Sequence, residues 1–328
     1  MINKILFYSF LVMVLTSVLT SSCKKENPVK LPELSTALLT KITSTSVISG
    51  GSITWDGGSF VSARGLCWAS HFNPVVFDNY TTDGEGTGSF LSSVTGLTSG
   101  TNYYVRAYAT NSEGTAYGNE IIFITPLTDI EGNVYKTVIM GTQAWMTENL
   151  KTTKYIDKTK IPNVTDNATW STLSTPAYCW YNNDVTSNKQ NYGALYNWYA
   201  INTGNLCPAG WHVPTEKEWA TLADYLNGET IAGGKLKEIG LIHWREENVG
   251  ASNDFGFSAL PGGYRTGLSS GSFRANGYFG YWWASTENDS IRARARLMTY
   301  DASDIFRGSG LKKNGYSVRC VKDYWLLR

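Results

Sequence analysis

The stretch Leu206-Cys-Pro-Ala-Gly-Trp-His-Val-Pro-Thr-Glu-Lys-Glu-Trp219 predicts the start of an α-helix in the second half of the chain. Thr215 followed three residues later by Glu218 is a capping box, in which both side chains accept hydrogen bonds from backbone amides of the first turn. Asn227-Gly228 supplies the left-handed exit that ends a helix. Between these signals, apolar residues recur with helical spacing and predict one buried stripe, formed by Trp219, Leu222, Ala223 and Leu226.

A second stretch, Ser317-Val-Arg-Cys-Val-Lys-Asp323, lies about a hundred residues further on. Cys207 and Cys320 each lie in an apolar or aromatic neighbourhood, and a disulfide between them would close the domain. A crosslink over a loop of this size stabilises the fold by about 4–5 kcal/mol in the loop-entropy view. The alternative is two separate buried thiols.

The first 22 residues have the features of a secretory signal peptide: a positive charge at Lys4, an apolar run over residues 5–19 and small residues before Cys23. The apolar run is too short to span a bilayer. This order resembles a bacterial lipoprotein box, which implies that Cys23 is lipidated and anchors the protein to the outer membrane. Thr20 departs from the leucine usual in such boxes, so ordinary cleavage is the alternative.

Export would place the four remaining cysteines, Cys67, Cys179, Cys207 and Cys320, in an oxidising compartment. Four cysteines can form disulfides in three different combinations, and the sequence alone does not choose among them. Cys67 lies in an apolar run of the first domain and is interpreted as a small buried hydrophobe. Cys179 is left undecided.

The composition fits two ordinary domains. The chain has 328 residues, is 42% hydrophobic and carries a formal net charge of +1, so nothing in its charge predicts nucleic acid as a partner. We predict a signal peptide at residues 1–22, a lipidated tether at 23–34, a β-sandwich at 35–126 and an α+β domain at 127–324.

Short β-branched and aromatic runs separated by turn residues predict the sandwich. In the segment Leu97–Asn111, alternation places Tyr103 on one face with alanines and valine, and Tyr104 and Tyr108 on the other. The turn before Tyr103 resembles the tyrosine corner of fibronectin type III and related immunoglobulin-like domains. The outward tyrosines are interpreted as sheet stabilisers, with a binding patch as the alternative.

The second domain is predicted to open with a hairpin that turns at Gly141-Thr142. Two helices are expected, one over Tyr192–Ala200 and one after Thr215, followed by long glycine- and aromatic-rich loops.

Seven blocks of this domain together carry a resemblance to a known family. They are the opening segment through Leu150, Tyr178–Asp184, Tyr192–Tyr199, Cys207–Trp219, Phe257–Arg265, Trp282-Trp283 and Ser317–Asp323. The family that they resemble is the Fibrobacter succinogenes major paralogous domain, which implies a bacterial envelope lipoprotein of largely undefined role. More distantly, Val213–Trp219 and Val318–Val321 are similar to stretches of formylglycine-generating enzymes, which implies a C-type-lectin-like fold.

The residues do not predict an enzyme. Formylglycine-generating enzymes use a pair of redox-active cysteines near the C-terminal part, where this chain has only Cys320. His71, His212 and His243 are scattered and do not form a zinc motif. We therefore predict no catalytic residue, metal or cofactor.

Two groups of residues are candidates for ligand binding. Tyr264, Arg265, Trp282 and Trp283 combine flat aromatic faces with a guanidinium, the groups that stack on sugars and bind carboxylates or hydroxyls. The alternative is that buried tryptophans hold down the loops.

The other group lies in Ser290–Leu297, where alternation places Arg292, Arg294 and Arg296 on one strand face. Adjacent like charges on a sheet require answering acids or a ligand. Either internal acids, Asp301, Asp304 or Glu287, pair with them, or an anionic glycan does.

Together these features predict a lipid-anchored envelope binding or adhesion protein that recognises a polysaccharide or a surface protein. A purely structural envelope component and, less favoured, an enzyme of the formylglycine-generating type are the alternatives.

Overall fold

The computed structural model describes residues 28–323, so the predicted signal peptide and the predicted lipidation site Cys23 lie outside the described residues. The first eight strands form the predicted sandwich of two antiparallel sheets, ordered β1-β2-β5 and β4-β3-β6-β7, with β8 also paired to β6. Their bounds are β1 Glu33–Thr36, β2 Ser46–Trp55, β3 Ala63–Ala69, β4 Asn79–Tyr80, β5 Gly88–Thr95, β6 Asn102–Thr110, β7 Thr115–Tyr117 and β8 Ile121–Ile124.

The sandwich begins slightly before its predicted boundary. Strand β1 starts at Glu33, and the amide of Lys30 already donates to the carbonyl of Gly57. The last residues of the predicted tether are therefore part of the folded domain.

The alternation predicted for β6 is confirmed, because Val105, Ala107 and Ala109 lie in the sandwich core. The hydroxyl of Tyr103 accepts a hydrogen bond from the amide of Thr98 at 3.0 Å, as a tyrosine corner requires.

The prediction that Tyr104 and Tyr108 are exposed is wrong. The loop between β3 and β5 covers them: Phe72 packs on Tyr104 at 4.5 Å, and the hydroxyl of Tyr108 donates to the carbonyl of Thr81 at 2.7 Å. Loop packing of this kind depends on residues far along the chain, which a strand's own alternation does not report.

The second domain combines small sheets with five α-helices in the described part of the chain. Its strands are β9 Leu127–Thr128, β10 Val134–Tyr135, β11 Thr137–Met140, β12 Gln143–Met146, β13 Tyr178–Cys179, β14 Leu195–Tyr196, β15 Gly262–Arg265, β16 Phe273–Asn276, β17 Phe279–Glu287, β18 Arg292–Thr299, β19 Phe306–Leu311 and β20 Val321–Asp323. Its helices are α1 Asn167–Thr172, α2 Val185–Asn188, α3 Trp198–Ile201, α4 Glu216–Tyr225 and α5 Glu229–Leu236, with a 3₁₀ turn at Tyr181–Asn183.

The largest sheet has the order β16-β15-β17-β18-β19. All its pairs are antiparallel except β15 with β17, which are parallel. The predicted hairpin is present as β11 and β12, and β12 also pairs with β20, so the two ends of the domain meet in one sheet.

The predicted capped helix is confirmed as α4. The hydroxyl of Thr215 accepts from the Glu218 amide, and the Glu218 carboxylate accepts from the Thr215 amide. Asn227 follows the helix with a left-handed φ of 74°.

The helix predicted over Tyr192–Ala200 is wrong for most of its length. Gly193 lies against the backbone of Leu150 with φ +70°, and Tyr196 exchanges two backbone hydrogen bonds with Tyr316. Only α3 is helical there, because these tertiary contacts hold the preceding residues extended.

The prediction of two helices misses the short helices α1 and α2 and also α5. The sequence of α5, Glu229-Thr-Ile-Ala-Gly-Gly-Lys-Leu236, has poor helix propensity. A β-carbon at Gly233 would lie 2.0 Å from the carbonyl oxygen of Asp304. The glycines are there because another segment packs directly on the helix backbone.

The predicted disulfide is confirmed: Cys207 and Cys320 are bonded, with their Cα atoms 6.0 Å apart. Cys67 and Cys179 are free and buried. The bond ties the segment before α4 to the segment before β20, within the largest of the three apolar clusters described in this domain.

Candidate functional site

The two predicted ligand-binding tryptophans are both fully buried. Successive residues of a strand face opposite sides of a sheet, and Trp282 and Trp283 accordingly enter different apolar clusters. The Trp282 indole donates to the side-chain oxygen of Asn149, and the Trp283 indole to the carbonyl of Tyr196, each at 2.8 Å. The prediction that they bind a ligand is wrong, because no face of either ring reaches solvent.

Arg265 is also fully buried, so its predicted role in ligand binding is wrong. Its guanidinium lies 4.5 Å from the ring of Trp170 and 4.7 Å from the ring of Phe273. Every nitrogen of the group donates within the protein, to the carbonyls of Gly271, Val164 and Thr165 and to the side chain of Asn167. These bonds connect residues 164–167 and Gly271 to strand β15.

Arg319 is a second buried arginine whose guanidinium donates within the protein. It was not singled out from the sequence, although it lies in the quoted block around Cys320. It is buried against Phe257 and donates to Asn149 at 3.0 Å and to the carbonyl of Ser258 at 2.8 Å. Burial lowers the pKa of Arg319 below its usual value.

Arg296 is answered by acids, but not by those proposed from the sequence. Its guanidinium donates to Glu216 at 2.8 Å and to Glu229 at 2.6 Å, from the first turns of α4 and α5. Glu287 pairs instead with Lys312. Because the Arg296 side chain is fully enclosed by this pairing, the prediction that it contacts a ligand is wrong.

Arg292 and Arg294 are exposed on β18, as the alternation predicts. The ion pairs within residues 28–323 include neither of them. They remain available to a ligand.

Tyr264 lies on the opposite face of the sheet, so the structure does not bring it together with the arginines. It belongs to a row of half-buried or exposed apolar side chains that crosses four strands through the register pairs Tyr281↔Leu297 and Leu297↔Phe306. We call this row the tyrosine strip; its members are Tyr264, Phe279, Tyr281, Leu297 and Phe306.

The rings of the tyrosine strip are held from below. Tyr264 and Tyr281 meet edge to face at 5.0 Å, and Tyr281 stacks at 4.8 Å on buried Tyr316, which in turn packs on Trp283. The exposed Arg274 lies directly across from Tyr264 on β16. This packing holds the rings of Tyr264 and Tyr281 in place.

Neither strip tyrosine has an internal hydrogen-bond partner for its hydroxyl among the described residues. Burial, with a smaller contribution from Tyr264, raises the pKa of Tyr281 to about 12, so this hydroxyl is a neutral donor and acceptor at ordinary pH. The strip thus combines apolar ring surface with polar hydroxyls, and the sequence signal for it was the period-two pattern of β17.

The three histidines lie apart from one another, each beside a carboxylate. Each histidine contacts one carboxylate: His71 with Asp78, His212 with Glu218 and His243 with Glu238. Over residues 28–323 there is no group of three side chains that could hold a metal ion, and no helix long and apolar enough to cross a membrane.

Solved structures that are similar to the chain cover about 30% of it. They include the sensor domain of the anti-sigma factor RsgI4 of Pseudobacteroides cellulosolvens, 17% identical over 30% of this chain and 97% of that chain, with a TM-score of 0.23. A human collagen XX fibronectin type III domain is 21% identical over 30% of this chain and 98% of that chain, also with a TM-score of 0.23. The fibronectin type III domain of human fibronectin type III domain containing protein 3 is 18% identical over 30% of this chain and 91% of that chain, with a TM-score of 0.22.

No relative was found among curated protein sequences. Residues 138–322, more than half of the chain and nearly all of its second domain, match the family described as the Fibrobacter succinogenes major domain. The chain belongs to the Fibrobacter succinogenes major domain family.

Proposed function

We propose that the protein is a glycan-binding protein of the bacterial cell envelope, anchored in the outer membrane through a lipid on Cys23. The observation that carries the proposal is the tyrosine strip: aromatic rings fixed by buried packing, with two hydroxyls that no described residue satisfies. Sugar rings present an apolar C–H face and a rim of hydroxyls, which match such a surface.

The remainder of the domain supports a binding role by its rigidity. Elsewhere in the domain, buried Arg265 and Arg319 hold loops in place, because their guanidinium groups donate to backbone carbonyls. A preorganised surface binds with less loss of conformational entropy than a mobile one.

We further propose that the second domain has a C-type-lectin-like fold. In support, the pairing of β12 with β20 brings the ends of the domain together, and the Cys207–Cys320 bond closes it. The proposed lipid anchor rests on the residues that precede Cys23.

A glycan array probed with residues 24–328 tests the function. Removing the aromatic ring in Tyr264→Ala or Tyr281→Ala is expected to weaken binding by about 1–3 kcal/mol, the magnitude typical for stacking on aromatic side chains. Tyr264→Phe keeps the ring and serves as the matched control for the hydroxyl.

The variants must unfold at the temperature of the parent for the comparison to count. Retention of full affinity by both alanine variants would exclude the tyrosine strip as the site. If the folded parent binds no glycan, the protein is better described as a structural envelope component.

A further inference from the structure

We propose a second binding site, independent of the tyrosine strip, in which Arg292 and Arg294 bind carboxylate or sulfate groups of an acidic polysaccharide. The site lies on the other face of the same sheet, on β18 and the adjoining β19.

Helices α4 and α5 cover one part of this sheet face and leave the other part exposed. Arg296 and Met298 are buried beneath α4 and α5, whereas Arg294 and Arg292, further toward the start of β18, are exposed. Residues two apart on a strand lie roughly 6–7 Å from each other on one face. The two guanidinium groups therefore rise side by side from an otherwise rigid strand.

Only two of the four arginines on this face of β18 and β19 form ion pairs among the described residues. The pair formed by Arg296 and its cross-strand neighbour Arg307 is answered by Glu216 and Glu229. No ion pair in the described part of the chain does the same for the other two arginines. Like charges beside each other on a sheet are unfavourable, and an anion relieves this repulsion.

Asp289, an acid that the Arg292 charge acts on, is already engaged by the backbone. Its carboxylate accepts from the amides of Ile291 and Arg292, each at 2.8 Å. These hydrogen bonds and one from Asn288, with a smaller contribution from the Arg292 charge, hold the pKa of Asp289 below its usual value. Asp289 shapes the turn before β18 and leaves the Arg294 charge unanswered.

The surroundings favour a carbohydrate over other polyanions. Arg294 faces the exposed Ser309 across the strand pair, and within residues 28–323 that hydroxyl has no hydrogen-bond partner. Guanidinium groups bind planar carboxylates in a fork and also suit sulfates, while a serine hydroxyl suits a sugar hydroxyl. The protein's net charge of +1 provides no extended positive field of the kind that holds nucleic acid.

The test measures binding of residues 24–328 to polygalacturonate, dextran sulfate, neutral dextran and single-stranded DNA, at about 50 and about 200 mM salt. The carboxylate and sulfate arms separate the two anion types. We expect binding to at least one acidic polysaccharide, none to dextran, and a loss of at least about tenfold in the double variant Arg292→Gln/Arg294→Gln. Lys136→Gln/Lys217→Gln removes the same charge from exposed lysines that form no ion pair among the described residues, and should leave affinity unchanged.

Three results would overturn the proposal: no acidic polysaccharide binds the parent, the arginine variant binds as the parent does, or the lysine control weakens binding equally. DNA binding as tight as polysaccharide binding would also overturn it, because that indicates general charge attraction. Tyr264→Ala should leave the binding of acidic polysaccharide at the arginines unchanged. A failure of the arginine site can therefore be told apart from a failure of the tyrosine strip.

Discussion

At the scale of single residues, the second domain depends on arginines that contact no solvent. Arg265 and Arg319 are fully buried and donate chiefly to backbone carbonyls. Buried polar groups of loops need such partners, since an unmade hydrogen bond costs about 1–3 kcal/mol. A domain with long irregular loops can thereby keep them fixed without regular secondary structure.

Replacing Arg265 tests whether buried arginines hold the loops in place. Arg265→Ala should lower the free energy of unfolding by about 3–5 kcal/mol, because several buried carbonyls lose their donor and a cavity is left beside Trp170. Urea denaturation measures the change. Arg294→Ala, an exposed arginine, is the matched control and should change it by no more than about 0.5 kcal/mol. Equal effects of the two substitutions would contradict the role assigned to Arg265.

At the scale of elements, the two longest helices are tied to the central sheet by charge as well as by apolar packing. Glu216 and Glu229 begin α4 and α5, where a negative charge also suits the helix dipole. Both contact Arg296 on β18. The buried guanidinium of Arg296 thus has a carboxylate partner from each helix.

The pH dependence of stability should report this cluster. Burial raises the pKa of Glu229, but hydrogen bonds from Arg296 and Arg307 outweigh it and bring the net pKa below its usual 4.5. A carboxylate with a lowered folded pKa stabilises the fold above its unfolded pKa, and this contribution is lost as the pH falls through the folded value. The free energy of unfolding should therefore fall below about pH 4.5.

Glu229→Gln is expected to unfold more easily at neutral pH and to show a weaker decline with acid than the parent. Chemical denaturation at several pH values between about 3 and 7 measures both. A parallel pH profile for variant and parent would show that Glu229 contributes nothing to the acid response.

At the scale of the whole molecule, one backbone carbonyl links the two domains. Gly100, in the turn of the tyrosine corner, accepts from the indole of Trp211 at 3.2 Å and from the ammonium of Lys322 at 3.1 Å. These donors follow Cys207 and Cys320 closely, so the disulfide holds together the segments that contact the sandwich. The sandwich therefore contacts the second domain at the segments that this disulfide joins.

Gly100→Ala should loosen this junction. The residue has a φ of +61°, and a β-carbon there would lie 2.6 Å from atoms of both Leu127 and Trp211. We expect a larger maximum dimension by small-angle X-ray scattering, with the two domains still folded. Gly96→Ala, at φ +74° with open space around it, is the control for backbone strain alone. An unchanged scattering profile for Gly100→Ala would argue against a rigid junction.

The anchor prediction also concerns the whole molecule. Cys23→Ser removes the only acceptor of the proposed lipid and should move the protein from the membrane fraction to the soluble fraction, as immunoblotting of fractionated cells would show. An unchanged distribution would contradict lipid anchoring at this position.

Features encoded by neighbouring residues could be read from the sequence. The capping box at Thr215, the alternation of β6 and β18 and the tyrosine corner at Tyr103 each depend on residues within a few positions, where local geometry dominates. The disulfide was expected from cysteines in apolar surroundings under oxidising conditions. The predicted ligand site failed at Arg265, Trp282 and Trp283 because flat aromatic and guanidinium groups suit a core as well as a surface. Whether these side chains lie in the core or at the surface depends on residues distant along the chain, such as Asn149 and Val164. Only the folded chain brings these residues into contact.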